Sequence, residues 1–294
     1  MEIIKIIIYG ILEGITEWLP ISSTGHLILL KELIPLKVSS EFWNLFEVVI
    51  QLGAVLAVVV LYFNKLKPKK ENIDNWKKII IACIPAAIIG LLFDEIFEKY
   101  FYNKISVALA LIIVGLLFIV IEKNNKNNNI TEITYKSALL IGLAQIIAAI
   151  FPGTSRSGIT IICALLLGIT REKATEFTFI MSVPVMLGAS LLKLVKFGFL
   201  FKENEIFVLL IGSLSAFITS LFVIKFLLNY IKKHNFTIFG VYRIILGIII
   251  LLSIIWKDLI WSMKLLHVMF VIERLINFCI LLEITVHIVY QVNI

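Results

Sequence analysis

The stretch EGITEWLPISSTGH, Glu13–His26, places several polar side chains inside an apolar part of the chain. Glu13 and Glu17 are four residues apart, so on a helix they share one face and can reach a common ligand. The apolar runs on either side leave little room for water. Lipid offers a charge neither water nor a counter-ion, so these residues are candidates for a functional site. The alternative is an interfacial turn whose acids are solvated.

Composition assigns the chain to the membrane proteins. Of its 294 residues, 60% are hydrophobic and 16% are charged, and the mean hydropathy is +1.02. This composition excludes a water-soluble globule with a single core. The net charge of +7 does not indicate a nucleic-acid partner, because the basic residues lie in short loops beside apolar spans. Cys83, Cys163 and Cys279 lie in apolar runs, and we interpret them as small buried side chains.

The pattern along the chain predicts an all-α polytopic membrane protein with a hairpin that enters and leaves on one side. A helix over residues 2–19 ends at Pro20, and an irregular tip, Ser22–Gly25, precedes a short apolar segment, His26–Leu30. Irregular backbone at membrane depth is tolerated only where it faces protein or a water-filled cavity. Six apolar segments are long enough to be full spans. They lie near residues 43–63, 76–93, 105–121, 177–199, 206–230 and 238–256.

A second polar tip, PGTSRSGIT at Pro152–Thr160, follows the Asn- and Lys-rich connector Lys123–Asn129. An offset of 132 residues relates it to the first tip, which suggests two repeat halves, about 1–121 and 137–256. Broken helices at matching places in two halves indicate a site where the halves meet. The offset pairs Gly10 with Gly142, Glu13 with Gln145, Pro20 with Pro152 and Ser23 with Ser155.

Arg156 is the most informative cation of the second tip. Its planar guanidinium suits two phosphate oxygens, and the N–H groups of the helix that follows attract the same anion. The alternative is a helix cap beside an arginine that reaches the membrane surface. With Arg156, the hydroxyl residues of both tips are the candidate substrate-binding set. These are Ser22, Thr24, Thr154, Ser155, Ser157 and Thr160.

The two tips together predict phosphoryl-transfer chemistry on a lipid phosphate. Glu13 and Glu17 would hold a divalent cation, Mg²⁺ or Ca²⁺, while Arg156 neutralises the phosphates. Ser23 would attack the phosphorus with His26 as its base. Two other schemes use the same residues, with either His26 or a metal-activated water as the nucleophile. Glu47, Gln51 and Glu176 either join this site or only orient helices.

Three segments together resemble one known family. EGITEWLPISSTGH, FEVVIQLGAVLAVVV at Phe46–Val60 and PGTSRSGIT are similar to the bacterial undecaprenyl-diphosphate phosphatases associated with bacitracin resistance. The likeness runs to about Trp256 and includes TEFTF at Thr175–Phe179 and VYR at Val241–Arg243.

This resemblance implies an enzyme of the bacterial plasma membrane that recycles the lipid carrier of cell-wall synthesis. With a divalent cation, the enzyme hydrolyses undecaprenyl diphosphate to undecaprenyl phosphate and inorganic phosphate. The resemblance also implies a phosphatase domain, residues 1–256, built of interdigitated inverted repeats with two re-entrant helical hairpins. Residues 257–294 lie beyond the likeness and are expected to form an extra helix of uncertain role. Association into a homodimer is left open.

A transporter or flippase for polyprenyl phosphate is the alternative function, because broken helices and inverted repeats are also typical of transporters. A purely structural membrane subunit would leave both polar tips unexplained. Basic loops predict the orientation, with Asn64–Lys78 in the cytoplasm. The first hairpin then enters from outside and the second from the cytoplasm. The cavity between them is expected to open to the outer face.

Overall fold

The chain folds into helices joined by short loops, as expected for an all-α protein. The structure is a computed structural model that describes residues 2–124, 129–198, 201–202 and 204–255. The expected extra helix in 257–294 therefore lies outside the described residues, as does most of the connector between the halves. The helices are α1 (Glu2–Thr16), α2 (Ser23–Leu33), α3 (Ser40–Leu61), α4 (Phe63–Leu66), α5 (Ile73–Phe101), α6 (Lys104–Asn124), α7 (Tyr135–Ile150), α8 (Arg156–Leu166), α9 (Arg171–Phe197), α10 (Glu205–Ile231) and α11 (Thr237–Ile255).

Six helices of the described part are long and apolar enough to cross a membrane, which confirms a polytopic membrane protein. These are α3, α5, α6, α9, α10 and α11, each within a few residues of the predicted span except α5 and α9. Helix α5 extends to Phe101, and α9 begins at Arg171, where Thr170 caps it by accepting from the backbone N–H of Lys173. The capping residue sets this start.

Each half begins with a helical hairpin whose two open ends are bonded together. In the α1–α2 hairpin, the hydroxyl of Tyr9 donates to the carbonyl of Ile34 at 3.2 Å, and Nζ of Lys5 donates to the carbonyl of Pro35 at 2.8 Å. In the α7–α8 hairpin, Ile130 exchanges backbone hydrogen bonds with Gly168 and Thr170. In both hairpins these bonds join chain within or before the first helix to chain after the second helix.

The tip helices begin earlier than the sequence suggests. Helix α2 starts at Ser23, so the predicted irregular tip extends only to Ser22, and α8 starts at Arg156. Ser22 and Ser155 precede these helices with nearly equal dihedral angles, φ 72° and ψ 106° against φ 66° and ψ 113°. By its backbone conformation, the equivalent of Ser155 is thus Ser22. The 132-residue offset instead pairs Ser155 with Ser23, which is one residue further along. The second tip holds one more residue after its proline.

Helices of the two predicted halves pack between one another. Helix α1 packs along α10 of the other half, and α7 packs along α5. The paired glycines Gly10 and Gly142 make both contacts close. A Cβ added at Gly10 would lie 2.4 Å from the carbonyl oxygen of Gly212, and one at Gly142 would lie 2.2 Å from that of Ala82. Each hairpin is therefore fixed by a span of the opposite half.

The last spans of the halves, α6 and α11, pack antiparallel. A Cβ at Gly115 would lie 2.7 Å from the carbonyl oxygen of Gly240, and one at Gly247 would lie 2.8 Å from that of Ala108. The 132-residue offset relates Gly115 to Gly247 and Ala108 to Gly240, so it turns the first contact into the second. Such an exchange indicates a two-fold relation between α6 and α11. This relation supports the predicted inverted repeat halves, as in repeat-built membrane proteins.

Candidate active site

Arg243 on α11 holds the two hairpin tips together. Its guanidinium is fully buried and donates to the carbonyl of Pro20 in the first tip, at 3.2 Å. It also donates to the carbonyls of Gly153 and Thr154 in the second tip, at 2.9 and 2.8 Å. These carbonyls belong to irregular backbone that no helix satisfies, so a charged donor is well suited to them.

Glu17 joins the functional side chains of both tips. Its Oε2 accepts from the hydroxyl of Ser23 at 3.0 Å, and its Oε1 accepts from Nη2 of Arg156 at 2.6 Å. The hydroxyl of Ser157 donates to the Glu17 carbonyl at 3.3 Å. Ser23 and Arg156 are the first residues of α2 and α8. The Glu17 carboxylate therefore bonds the first residue of each tip helix. The ion pair is largely hidden from solvent, with 11% of the Glu17 side chain and 14% of the Arg156 side chain exposed.

A cavity of about 400 Å³ opens beside this cluster, bounded by the tips and by α3, α5, α7 and α9. The N-termini of both tip helices reach its wall, so their unpaired N–H groups and dipoles make it attractive to an anion. Most of the predicted site residues line it. They are Glu17, Ser22, Ser23, Thr24, Ser155, Arg156 and Ser157, with the second-rank residues Glu47 and Gln51.

The other predicted residues lie outside this described lining. Thr154 is buried behind the tip, 2% exposed. Thr160 is inside α8, where its hydroxyl donates to the carbonyl of Arg156 at 2.8 Å and meets the hydroxyl of Thr178 at 3.1 Å. Glu176 lies at a second cavity, where it pairs with Lys65 and Lys173 at 2.5 and 3.0 Å. Glu176 thus belongs to a different part of the fold.

His26 is buried and bonded through both ring nitrogens. Nδ1 lies 2.7 Å from the carbonyl of Ser22, and Nε2 lies 2.7 Å from the hydroxyl of Tyr242. A carbonyl only accepts, so Nδ1 carries the proton, and Nε2 of a neutral ring accepts from the tyrosine. The hydroxyl of Ser23 donates to Glu17, and both ring nitrogens of His26 are bonded to other residues. His26 therefore supports the strained turn at Ser22.

Glu13 is the residue best suited to a cation. Its side chain is fully buried, and within the described part of the chain neither carboxylate oxygen makes a hydrogen bond of good geometry, although the Glu17 carboxylate is close. It is close enough to Glu17 and Glu47 for the carboxylates to repel one another. Among the described residues, groups of three or more His, Cys, Asp or Glu side chains in metal-binding geometry are absent. A hard cation held by one or two carboxylates and completed by phosphate oxygens fits this donor set.

Comparison with known proteins identifies the family. A family model described as "Bacitracin resistance protein BacA" matches residues 6–249. The chain belongs to this BacA family. The match includes both tips, five of the spanning helices in full and α11 as far as residue 249.

Several named proteins of similar length are close to this BacA family member. An "Undecaprenyl-diphosphatase" from Desulfitobacterium hafniense is 58% identical over 266 residues, which cover 86% of this chain and 96% of that protein. An "Undecaprenyl-diphosphatase 1" from Clostridium acetobutylicum is 56% identical over 265 residues, covering 85% and 97%. An "Undecaprenyl-diphosphatase" from Enterococcus faecalis is 53% identical over 264 residues, covering 84% and 95%.

Sequence reasoning about this BacA family member missed Arg243 and Tyr242 as parts of the site. Both lie in the VYR segment, which contributed to the resemblance but received no chemical role. A signal was available for Arg243, because a lone arginine within an apolar span must find partners inside the protein. Which partners it finds depends on the packing of α11 against tips more than 80 residues away in sequence, for example the carbonyl of Thr154.

Proposed function

We propose that this protein hydrolyses undecaprenyl diphosphate to undecaprenyl phosphate and inorganic phosphate in the bacterial plasma membrane. The names of its relatives support this substrate. The observation that carries the proposal is the Glu17 carboxylate, which bonds the hydroxyl of Ser23 and the guanidinium of Arg156 beside a cavity among membrane-spanning helices. The nucleophilic hydroxyl of Ser23, the basic carboxylate of Glu17 and the anion-binding guanidinium of Arg156 thus lie together.

Binding of the diphosphate is the task of Arg156 and the two tip-helix N-termini. The guanidinium can turn part of its fork from Glu17 toward phosphate oxygens, and backbone N–H groups of α2 and α8 complete the cradle. The hydroxyls of Ser155 and Ser157, 3.1 Å apart, lie at the same wall. These donors neutralise charge that builds up on the terminal phosphate during transfer.

Ser23 is the nucleophile in our scheme, and Glu17 is its base. The Ser23 proton passes to Glu17 Oε2, 3.0 Å away, as the Ser23 oxygen bonds the terminal phosphorus and the anhydride P–O bond breaks. Undecaprenyl phosphate leaves with the electron pair of that bond. Glu17 gives its proton to the departing undecaprenyl phosphate and then accepts a proton from the water molecule that attacks the phosphoserine phosphorus. Inorganic phosphate is released, and the Ser23 oxygen leaves with the electron pair of its P–O bond and takes the proton from Glu17, which restores the hydroxyl. His26, the base in our sequence-based scheme, instead holds the Ser22 turn in position.

Glu13, with Glu17, would hold the divalent cation, Mg²⁺ or Ca²⁺. Its two unpartnered buried oxygens require a proton or a cation, since an isolated charge is costly in lipid. When bound, the cation supplies electrostatic stabilisation of the phosphate oxygens. Glu47 lies within electrostatic reach of Glu13 and is the candidate for a further carboxylate.

The hairpins are proposed to be re-entrant, the first from outside and the second from the cytoplasm, with the cavity opening outward. Their bonded ends and inverted packing support this arrangement. The basic loops agree with it, because thirteen loop lysines and arginines then lie in the cytoplasm and five outside. Homodimer formation stays a prediction.

Phosphate release by purified protein in detergent tests the function. An enzyme needs no compartment, so wild-type protein should release inorganic phosphate from the lipid diphosphate while Ser23→Ala does not. A transporter of polyprenyl phosphate, the alternative, would move lipid between the leaflets of a vesicle without cleaving the diphosphate. Lipid movement in vesicles together with no phosphate release in detergent would favour that alternative.

A further inference from the structure

Helices α5 and α9 form a window in the wall of the active-site cavity. They meet at one level, where Sγ of Cys83 lies 3.7 Å from the carbonyl of Met181. They meet again further along, where Nζ of Lys196 pairs with Glu95 at 3.3 Å. At 1.5 Å per residue, these crossings are about 18 Å apart along α5. Between them, both helices line the cavity.

Small side chains line this interval. Ala86 and Gly90 of α5, one helical turn apart, line the cavity opposite Val185 and Ala189 of α9. A Cβ added at Gly90 would meet no described atom within 4 Å, so the space beside it is open as far as the structure describes it. Ala189 is exposed although it lines the cavity. The cavity therefore reaches the protein surface between the two helices.

The middle part of this window has an apolar rim, while Lys193 and the Lys196–Glu95 pair lie towards one end. Leu91 on α5 and Leu187 and Leu191 on α9 flank it with 67%, 46% and 62% of their surfaces exposed. Exposed leucines on spanning helices face the acyl chains of a bilayer. An opening with such a rim leads from the headgroup cavity into hydrocarbon rather than into water.

We infer that the polyprenyl chain of the substrate passes through this window, with its diphosphate at Glu17 and Arg156 and its hydrocarbon tail beside Gly90. This inference rests on the proposed function and adds the path of the lipid. The occupant follows from continuity, because the window opens from the cavity that holds the headgroup residues. A lipid diphosphate must keep its tail in the bilayer while its phosphates are inside the protein, and a lateral opening satisfies both requirements.

A size series at Gly90 tests the path. Because the position is open, Gly90→Ala, Val and Leu should fold, and kcat/KM for undecaprenyl diphosphate should fall with side-chain size, by about tenfold or more for leucine. Gly188→Leu is the matched control. A Cβ there also meets no atom of the described residues within 4 Å, but Gly188 does not belong to the described cavity lining. Its kcat/KM should stay within about twofold of wild type. Equal values for both leucine variants would overturn the path.

A labelling experiment covers the case in which a Gly90 variant loses its fold. An undecaprenyl diphosphate analogue with a photoreactive group near the first isoprene units is irradiated with wild-type protein, and the labelled peptides are sequenced. Labels on α5 around Gly90 or on α9 around Ala189 support the window, and labels confined to α1, α10 or α11 overturn it. Phosphate release from the natural lipid is measured in parallel. Its absence would refute the proposed function independently of the labelling pattern.

Discussion

Arg156 donates from Nη2 to Oε1 of Glu17 at 2.6 Å, and this ion pair connects the α1–α2 hairpin to the α7–α8 hairpin. Removing either partner leaves the other charge buried without compensation. A substitution at either residue should therefore affect both the stability of the two tips and the activity of the site.

Arg156→Lys should lower turnover about a hundredfold or more while the protein still folds. Lysine keeps the charge but loses the planar fork that can hold Glu17 and phosphate oxygens together. The measurement is phosphate release in detergent. Arg171→Lys is the matched control, because Arg171 makes a bidentate pair with Glu122, at 2.9 and 2.5 Å, away from the described cavity lining. Its turnover should be retained, and near-normal turnover of Arg156→Lys would reduce Arg156 to a simple positive charge.

Glu13→Gln should abolish stabilisation by divalent cations. Saturating Mg²⁺ or Ca²⁺ should raise the free energy of unfolding of wild-type protein by about 2–3 kcal/mol, as expected for a ligand at 100 times its Kd. The variant should show no such gain, although in cation-free buffer it should be as stable as wild type, because the neutral amide replaces a buried carboxyl that is held protonated when no cation is bound. Thermal unfolding with and without cation measures both effects. An unchanged cation response in the variant would exclude Glu13 from the cation site.

Ser23→Ala and His26→Gln should differ strongly in activity. Loss of the nucleophile should lower kcat by about 10⁴-fold or more. Disturbing the support of Ser22 should cost about 10- to 100-fold, as for misplaced catalytic groups. Tyr242→Phe, which removes only the bond to Nε2 of His26, should cost less than His26→Gln. If His26→Gln were as inactive as Ser23→Ala, our sequence-based scheme with His26 as base or nucleophile would be favoured.

Arg243→Met should lower the free energy of unfolding by about 2–5 kcal/mol, because three buried carbonyls in two tips lose their donor. Thermal unfolding of purified protein measures the loss. The control is Lys225→Met on the exposed face of α10, which should change stability by less than about 0.5 kcal/mol. A stable Arg243→Met protein would show that water can satisfy the tip carbonyls.

Sequence reasoning predicted the features that depend on local pattern. Hydropathy located six spans because burial in lipid requires about twenty apolar residues whatever the tertiary packing. Glu17 and Arg156 were found because charges within apolar runs are costly and rarely accidental. The direction of His26 toward Tyr242 depends on a contact between residues 216 positions apart, which no local pattern encodes. The start of α2 at Ser23 was missed because a positive φ at a serine is unfavourable and is imposed by the surrounding fold.

The orientation of the protein should be visible by cysteine labelling in intact cells. In a background without Cys83, Cys163 and Cys279, an impermeant thiol reagent should label Asn44→Cys, because Asn44 is exposed and lines the cavity proposed to open outward. It should not label Lys69→Cys, whose side chain is 58% exposed but lies in the proposed cytoplasmic loop. Permeabilised cells provide the control, since both cysteines should then react. Labelling of Lys69→Cys in intact cells would reverse the topology. Labelling of Asn44→Cys only after permeabilisation, with Lys69→Cys still protected in intact cells, would place the cavity mouth on the cytoplasmic side.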